Sequence, residues 1–364
     1  MKSSHSVFPV AVICLIALLA FGGCSSKMER ETLSRTDILI QDKNYSEALA
    51  LLYDALEKDA DNLRLRRQVV MVYLHAGQPA TAYRAYRKLL EKPRKKGQAG
   101  DPEYRDRDPV LVDALKHPDA VVRITAAKTL SSVKDTTSVK PLIGLLKDSD
   151  RDVRRAAANA LGELREKSAV KPLIELLADD SWFVRGEAAQ SLGKIAEPSA
   201  AEPLMKLLGD PDAYVRENAA ISIRLVSTES NRGIFEKALN SPDALTKLTA
   251  ARALAQFKSE PAEVVLIGAT TDENPQFRRM AVDSLAEMNS EKGLVRIREM
   301  AQKDPDLEVR YLAILAIGLY GDKGSAPLLE EIIKNQNNPP DIRRAAFMAY
   351  RKIAEKHPEL IRGE

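Results

Sequence analysis

Basic and acidic residues recur at a near-constant interval along the last two thirds of the chain. A basic residue occurs every 31 to 33 positions, at Arg123, Arg154, Arg185, Arg216, Lys247, Arg278, Arg310 and Arg343. Four positions before it stand Asp119, Asp150, Ser181, Asp212, Asp243, Asn274, Asp306 and Pro339. Regularly spaced guanidinium groups can bind the phosphate or carboxylate groups of a partner, or they can pair with carboxylates of their own chain. The elements that carry these residues decide between the two uses.

Residues suited to metal binding or covalent catalysis are few. The chain has four histidines and two cysteines, and no Cys/His cluster has the spacing of a metal site. Neither a glycine-rich phosphate loop nor a Ser-His-Asp ordering occurs. The 55 basic and 52 acidic residues leave a net charge of +3, which is too balanced to favour a nucleic-acid partner. We therefore expect no metal, no cofactor and no nucleic-acid binding.

The fixed interval indicates a helical repeat. Three positions after the basic residue comes an alanine in every copy: Ala126, Ala157, Ala188, Ala219, Ala250, Ala281, Ala313 and Ala346. Seven positions after it comes a larger side chain: Leu130, Leu161, Leu192, Ile223, Leu254, Leu285, Ile317 or Tyr350. These positions share one helical face, and an aspartate or serine before a helix caps its free N–H groups.

A shorter helix precedes each cap, for example at 168–179 and 199–210. Its proline falls in the first turn, where the missing N–H is harmless. Each unit is therefore predicted to be helix A, a turn and helix B, and stacked units would bury a continuous core.

The pattern DxxVRxxAAxALG, followed by AVxPLIxLL, resembles HEAT repeats of the short subtype named after phycobilisome lyases. The resemblance covers 106–359 and implies an all-α fold, an α-solenoid of about eight units. In HEAT repeats the recurrent arginine commonly pairs with an acid of an adjacent unit. The resemblance thus implies an Asp–Arg ladder, with Asp150 near Arg123 or Arg185. The ladder residues expected on this basis are Asp119, Arg123, Asp150, Arg154, Asp212 and Arg216. A row of arginines facing an acidic partner is the alternative.

Enzymes of this repeat class carry residues that the chain lacks. Deoxyhypusine hydroxylases hold iron with His-Glu pairs, whereas none of His5, His75, His117 and His357 precedes a glutamate. DNA glycosylases of the fold line a groove with basic and aromatic residues, which does not suit a secreted, charge-balanced chain. Bilin lyases share the subtype name, but a fold does not by itself imply a function. We expect the chain not to be an enzyme, and a bilin-lyase-like activity is the least favoured interpretation.

Residues 32–92 show a second, different period. Ala48 and Ala82, Leu52 and Tyr86, and Ala55 and Leu89 are each 34 positions apart. This spacing resembles the tetratricopeptide repeat, and it implies two divergent helical hairpins. A plain pair of hairpins is the alternative. Fewer than three such repeats rarely fold alone, so this module is expected to pack on the next part of the chain. Residues 93–105, rich in proline, glycine and basic side chains, are predicted to be a linker.

The first 26 residues resemble the signal of a bacterial lipoprotein. An apolar run at 7–21 is shorter than the 18–20 residues or so that a spanning helix needs. It ends in AFGGC, which resembles a lipobox, and this implies cleavage after residue 23 and lipidation of Cys24. Residues 24–31 would then be a tether. Ser25 after the cysteine implies sorting to the outer membrane, facing the periplasm. An uncleaved anchor or an ordinary signal is the alternative.

The A–B turns offer a candidate edge for partner binding. Trp182, Phe183 and Tyr214 fall there, close to Arg155 and Arg185, and aromatic side chains beside arginine are typical anchors of protein interfaces. The alternative is that these rings only fill gaps between turns. The chain is therefore predicted to be a lipid-anchored, non-catalytic scaffold that organises other envelope proteins. A ligand- or peptidoglycan-binding accessory lipoprotein is the second prediction.

Overall fold

The computed structural model describes residues 27–90, 109–134 and 136–362. Within these ranges the regular elements are all helical and no strand occurs, which confirms the predicted all-α fold. In the same ranges no helix combines the length and the apolar character needed to cross a membrane. Cys24, the signal segment 1–23 and the predicted linker 93–105 lie outside the described residues. The chain divides into two compact units, 1–133 and 134–364.

The described part of the first unit consists of α1 (Lys27–Gln41), α2 (Tyr45–Lys58), α3 (Leu63–His75), α4 (Pro79–Leu90), α5 (Val110–Ala114) and α6 (Ala120–Val133). The residues that repeat at an interval of 34 are all at most 2 % exposed, so the period marks the core of this unit. Helix α6 packs against α3 and α4. The first helix pair of the 31-residue period thereby covers the helices of the 34-residue period, which are too few to form a stable stack alone.

The second unit repeats a short helix followed by a long one. Its helices are α7 (Val139–Leu145), α8 (Arg151–Leu164), α9 (Val170–Leu176), α10 (Trp182–Ile195), α11 (Ala201–Lys206), α12 (Ala213–Val226), α13 (Arg232–Ala238), α14 (Ala244–Ala255), α15 (Glu260–Ala269), α16 (Pro275–Met288), α17 (Glu291–Lys303), α18 (Leu307–Tyr320), α19 (Ala326–Lys334), α20 (Pro340–Lys356) and α21 (Glu359–Arg362). From α7 to α20, the first helix of each pair is the predicted helix A and the second is helix B. Each helix B packs on the helix B of the neighbouring pair.

The aspartates before the B helices are N-caps, as predicted. The side chain of Asp150 accepts hydrogen bonds from the backbone N–H of Asp152 at 2.8 Å and of Val153 at 3.1 Å. Asp212 caps α12 in the same way. Ser181 and Pro339 are exceptions, because neither makes a side-chain capping bond to its helix, α10 or α20. The caps fix where each B helix begins and so fix the register of the repeat.

The predicted core columns are buried. The alanine three positions after the basic residue has no exposed surface in any of the eight copies. The larger residue seven positions after it is at most 1 % exposed in the first seven copies. Tyr350, in the last copy, is only partly buried. The helical face inferred from the spacing is therefore the face that packs.

Glycines let the B helices α8, α10 and α12 approach closely. A Cβ placed on Gly162 would lie 2.8 Å from the Cα of Ser191, and one on Gly193 would lie 2.8 Å from the Cβ of Ser222. The hydroxyl of Ser191 donates a hydrogen bond to the carbonyl of Ala158 on the neighbouring helix at 2.8 Å. Small residues at these positions bring the helix backbones into contact.

The recurrent arginine of several repeats forms hydrogen bonds both to its own turn and to an acid of the next repeat. Arg154 donates from Nε and Nη2 to the carboxylate of Asp179 at 2.7 and 2.9 Å, and from Nη1 to the carbonyls of Asp148 and Ser149 at 3.0 and 3.3 Å. The same arrangement joins Arg185 to Asp210 and Arg278 to Asp304. An arginine ladder with acids of adjacent units is therefore present.

The acids of this ladder differ from those expected. Arg185 pairs with Asp210, not with Asp150, because the cap aspartates direct their carboxylates to backbone N–H groups. The pairing acid stands two positions before the next cap. Asp119 likewise accepts from the N–H of Val121 at 2.8 Å.

For two arginines of the expected ladder, the described hydrogen-bond acceptors are backbone carbonyl groups of their own turn. Arg123 donates to the carbonyls of His117 and Pro118 at 2.7 and 2.8 Å, and Arg216 donates to those of Asp210 and Pro211 at 2.7 and 2.9 Å. Where an acid for Arg216 would stand, 25 positions on, the chain has Ser241.

Adding one methyl group at a helix contact should weaken the stack. We expect Gly193→Ala to lower the free energy of unfolding by about 1–3 kcal/mol, because the new Cβ would overlap Ser222. Gly144→Ala is the matched control: Gly144 lies in α7 with no atom within 4 Å of such a Cβ, so helix propensity should raise stability by up to about 1 kcal/mol. Urea denaturation followed by circular dichroism measures both. Equal stability of the two variants would contradict the close contact.

The ladder should make stability depend on acid pH. Burial acts to raise the pKa of Asp210, but hydrogen bonds from Arg185 and from the backbone N–H of Asp212 outweigh it and leave this pKa below its usual value. A carboxyl group of this kind stabilises the fold above its unfolded pKa, near 4, and that contribution is lost as the pH falls through the lowered folded pKa. We expect Asp210→Asn to cost about 1.5–3 kcal/mol at pH 7, and progressively less below about pH 4.

Urea midpoints between pH 7 and pH 2 test this expectation. Glu202→Gln, which changes an exposed carboxylate of α11, serves as the control and should leave the midpoint at pH 7 nearly unchanged. A loss of stability in Asp210→Asn that is the same at every pH would exclude the charged pair as its cause.

Candidate functional site

The predicted aromatic edge lies at the start of two B helices. Trp182 and Phe183 are the first two residues of α10, and Tyr214 is the second residue of α12. These positions follow Ser181 and Asp212, the residues that precede the two helices. The side chains of Trp182, Phe183 and Tyr214 are 39 %, 41 % and 37 % exposed.

The three rings form one cluster across two repeats. The ring centroids of Trp182 and Phe183 are 3.6 Å apart with the planes at 24°, so these rings are stacked. Tyr214 meets Trp182 edge-on at 5.6 Å and lies 5.9 Å from Phe183. The guanidinium of Arg155 lies 5.7 Å from the centroid of Phe183, within the range of a cation–π interaction. We name Trp182, Phe183, Tyr214 and Arg155 the aromatic edge.

Tyr214 also has a packing role. Its ring lies over the backbone of Gly186, where an added Cβ would come within 2.4 Å of the tyrosine Cε1. The glycine thus makes room for the ring between α10 and α12. Tyr214 therefore fills a gap between repeats and still presents more than a third of its surface to solvent.

Arg185 does not belong to the aromatic edge. Its side chain is 14 % exposed, and its nitrogens bind Asp210 and the carbonyls of its own turn. Arg155 is different, because its side chain is 40 % exposed and its ion pair with Asp152, at 3.5 Å, is loose. The sequence analysis grouped Arg155 and Arg185 because both lie near the A–B turns. In the structure Arg155 is exposed, whereas Arg185 is held by Asp210 and its own turn.

The exposed face of the B helices carries polar links between repeats. It is formed by the positions one, five and nine after the recurrent basic residue. Lys194 and Glu163 pair at 2.8 Å, and both occupy the ninth position. Arg224, at the eighth position, donates to both carboxylate oxygens of Glu287 at 3.1 Å, so this pair links α12 to α16 past α14. Ion pairs along this side of the B helices therefore connect repeats.

Charges crowd together on this side of the B helices near α14. Burial raises the pKa of Asp283 and lowers that of Arg252, while Arg224 and Glu287 complete the group. The two acids and the two arginines compensate one another. A compensated group of this kind suits the maintenance of shape more than proton transfer.

Two histidines of the first unit lie together. The rings of His75 and His117 are 4.8 Å apart and meet edge-on, and burial lowers the pKa of both. Asp119 lies nearby, with its carboxylate 3.9 Å from Nδ1 of His75. Among the described residues no group of three or more His, Cys, Asp or Glu side chains could hold a metal ion.

The first unit also has an open groove between α2, α3 and α4. It encloses about 360 Å³ and is lined in part by Tyr53, Arg66, Val69 and Lys88. The hydroxyls of Tyr53 and Tyr73 are 3.3 Å apart near this groove. No sequence signal marks the groove, because its lining residues come from three helices with no common motif.

Solved structures similar to this chain share low sequence identity with it. The complex of CpcE and CpcF of phycocyanin lyase from Nostoc matches with 25% identity over 72% of this chain and 98% of that chain, at a TM-score of 0.40. Escherichia coli YibA matches with 20% identity over 71% and 99% of the two chains, at 0.43. An archaeal HEAT-like repeats protein from Thermococcus onnurineus matches with 17% identity over 67% and 96%, at 0.40. None of the curated proteins matches the chain.

Family models agree with both periods. A tetratricopeptide repeat model matches residues 39–105. A HEAT repeats model matches 73–158, 109–183, 139–224, 231–316 and 295–361, which together cover most of the chain. The buried alanine column, the capped B helices and the arginine ladder lie within these matches. The chain belongs to the HEAT repeat proteins.

Proposed function

We propose that the protein is a non-catalytic scaffold, held at the bacterial cell envelope by a lipid on Cys24, that organises other envelope proteins. Stacked helical repeats present an extended surface without needing a catalytic centre. The tetratricopeptide-like helices and the HEAT repeats both have this character. The charge balance of the sequence favours protein partners over nucleic acid.

The aromatic edge carries the proposal. Large aromatic side chains that remain more than a third exposed, next to an arginine, are typical anchors of protein interfaces. Trp182 stacks on Phe183 and meets Tyr214 edge-on, so the cluster is already ordered before a partner binds. A preordered anchor loses little conformational entropy on binding. Arg155 adds a donor at the rim of the same cluster.

The sequence supports the envelope location. The apolar run at 7–21 followed by AFGGC resembles a lipoprotein signal, and Ser25 favours the outer membrane. More than one acyl chain would make the anchoring stable. With Cys14 removed in the signal, Cys24 would be the only cysteine of the mature chain, so the described helices would fold without disulfides.

A ligand-binding accessory lipoprotein is the second candidate. The groove lined by Tyr53, Arg66 and Lys88 favours it, because it combines an apolar floor with basic groups suited to an anionic ligand such as a peptidoglycan fragment. A bilin-lyase-like enzyme has no such support from the geometry.

Removing the two exposed rings of α10 should abolish partner capture. We expect Trp182→Ala combined with Phe183→Ala to reduce cross-linking of the anchored protein to its envelope partners at least tenfold, since interface anchors of this kind commonly contribute about 2 kcal/mol or more. Val264→Ala, which removes an exposed apolar side chain from the A helix α15, is the control and should capture normally. Cross-linking in the native envelope followed by mass spectrometry measures the yield.

Both variants should retain the helical circular dichroism of the wild type, because the exchanged side chains lie outside the buried core of the stack. Unchanged capture by the double variant would exclude the aromatic edge. A wild-type protein that cross-links to no other protein would favour the second candidate and the groove of the first unit.

The lipid anchor has its own test. We expect Cys24→Ala to release the protein from membranes, because no thiol would remain to be acylated. Cys14→Ala, which changes the other cysteine within the apolar run, should leave the protein in the membrane fraction. Fractionation with detection of incorporated labelled fatty acid measures both. Retention of the Cys24→Ala protein in membranes would show that the signal is an uncleaved anchor.

A further inference from the structure

Helix α18 presents an unusual row of apolar side chains to solvent. Leu307, Tyr311, Leu315 and Leu319 follow one another at intervals of four and are 52 %, 40 %, 37 % and 59 % exposed. An interval of four keeps them on one side of the helix. We name these four residues the apolar stripe. It runs the whole length of α18, about 21 Å for a helix of 14 residues.

The fold does not need the apolar stripe. The opposite face of α18 supplies the core residues Val309, Ala313, Ile314 and Ile317, all fully buried. The helix is held on its neighbours by other contacts: a Cβ on Gly318 would lie 3.0 Å from the Cα of Ala349 in α20, and the hydroxyl of Tyr320 donates to the carbonyl of Leu285 at 2.7 Å. A contiguous exposed apolar row beyond what the core requires is typical of an interaction site.

The apolar surface continues onto α20. Met348 is 56 % exposed, and α20 packs directly against α18. In the repeat frame Met348 occupies the same position as Leu315. Helices α18 and α20 together therefore present an apolar strip about one helix wide. Helix α20 forms one of its two edges.

The two borders differ in charge. On the α20 side, Arg344 and Lys352 stand at the positions that correspond to Tyr311 and Leu319, and Arg344 has only a loose ion pair with Asp341, at 4.0 Å. On the α16 side the charges are compensated, because Arg279 of α16 pairs with Glu308 of α18 and Glu287 of α16 pairs with Arg224. The unbalanced charge beside the apolar stripe is thus positive and lies along α20.

The apolar stripe lies on the exposed face of the B helices, because Tyr311, Leu315 and Leu319 occupy the first, fifth and ninth positions after Arg310. A row about 21 Å long and one helix wide matches the dimensions of a partner helix.

We propose that the apolar stripe is a docking site for an amphipathic helix of a partner protein, one with an apolar seam and acidic residues along the flank that meets α20. A helix laid on the stripe would bury its seam against the four side chains and place its carboxylates near Arg344 and Lys352. The inference deepens the scaffold role proposed above, on which it rests, by naming the chemistry of one partner. It uses a surface separate from the aromatic edge.

Two synthetic helical peptides of about 16 residues test the proposal. Both carry the same leucine seam at intervals of three and four, and one has glutamates on its flanks whereas the other has lysines. Fluorescence anisotropy measures the binding of each labelled peptide to the full protein. We expect the glutamate peptide to bind at least tenfold more tightly than the lysine peptide at low salt, and this preference to shrink as salt screens the charges.

Variants of the protein connect the binding to the apolar stripe. Leu315→Glu and, separately, the more exposed Leu319→Glu should weaken the glutamate peptide at least tenfold. Val295→Glu, at an equally exposed position on the A helix α17, should have no effect. Arg344→Glu combined with Lys352→Glu should reverse the preference between the two peptides. Circular dichroism melting confirms that each variant is folded.

Any of three results would overturn the proposal. Neither peptide binds the protein, the Leu315→Glu and Leu319→Glu proteins bind the glutamate peptide as tightly as the wild type does, or the charge reversal on α20 does not change the preference between the peptides. Dimers of the wild type that Leu315→Glu converts to monomers would assign the stripe to a second copy. Vesicle binding that needs Leu315 would assign it to lipid. Trp182→Ala combined with Phe183→Ala should leave peptide binding intact, so failure here and failure of the aromatic edge are separate outcomes.

Discussion

The recurrent arginine in the first turn of α8, α10 and α16 joins its own turn to the next repeat, and the register of the neighbouring repeats depends on that link. Arg185 binds the carbonyls of its turn at 2.9 and 3.3 Å and the carboxylate of Asp210 in the next turn. The same carboxylate accepts the backbone N–H of Asp212, the next cap, at 2.9 Å. One nearly buried guanidinium thus fixes where the next B helix starts, and the paired acid offsets much of its desolvation cost. The position of the aromatic edge depends on this link, because its rings directly follow the caps.

The second unit has a gap in this link. Ser241 stands where Arg216 would find an acid, and Lys247 replaces the next arginine, which removes the planar bidentate donor. Near this gap Arg224 of α12 pairs with Glu287 of α16, past the intervening helix α14. Where the ladder is interrupted, a different ion pair therefore links the repeats.

The sequence was sufficient for the parts of the fold that the period controls. Alanine at the third position and leucine at the seventh are forced by helix contact, so their burial could be predicted, and the aspartate caps follow from backbone chemistry. The partner of each arginine could not be predicted, because aspartates occur both at the cap and two positions before it, and only the capping bonds show which is available. The sequence places Arg185 wrongly at the aromatic edge for a related reason: spacing gives a position along the helix, but not the competition among acceptors for one guanidinium. The apolar stripe did leave a signal, the four-residue interval of Leu307, Tyr311, Leu315 and Leu319.

A repeat constrains some columns and leaves others open, and the specific surfaces of this chain lie in the open columns. The aromatic edge uses the positions just after the cap in the third and fourth repeats, where Gly186 makes room for Tyr214. The apolar stripe uses the exposed positions of the seventh repeat, where the second copy has Arg155, Asn159 and Glu163. The stack does not require the stripe, since the core residues of α18 are buried on another face. Apolar side chains that a repeat frame permits but does not use are better explained by what binds there than by how the chain folds.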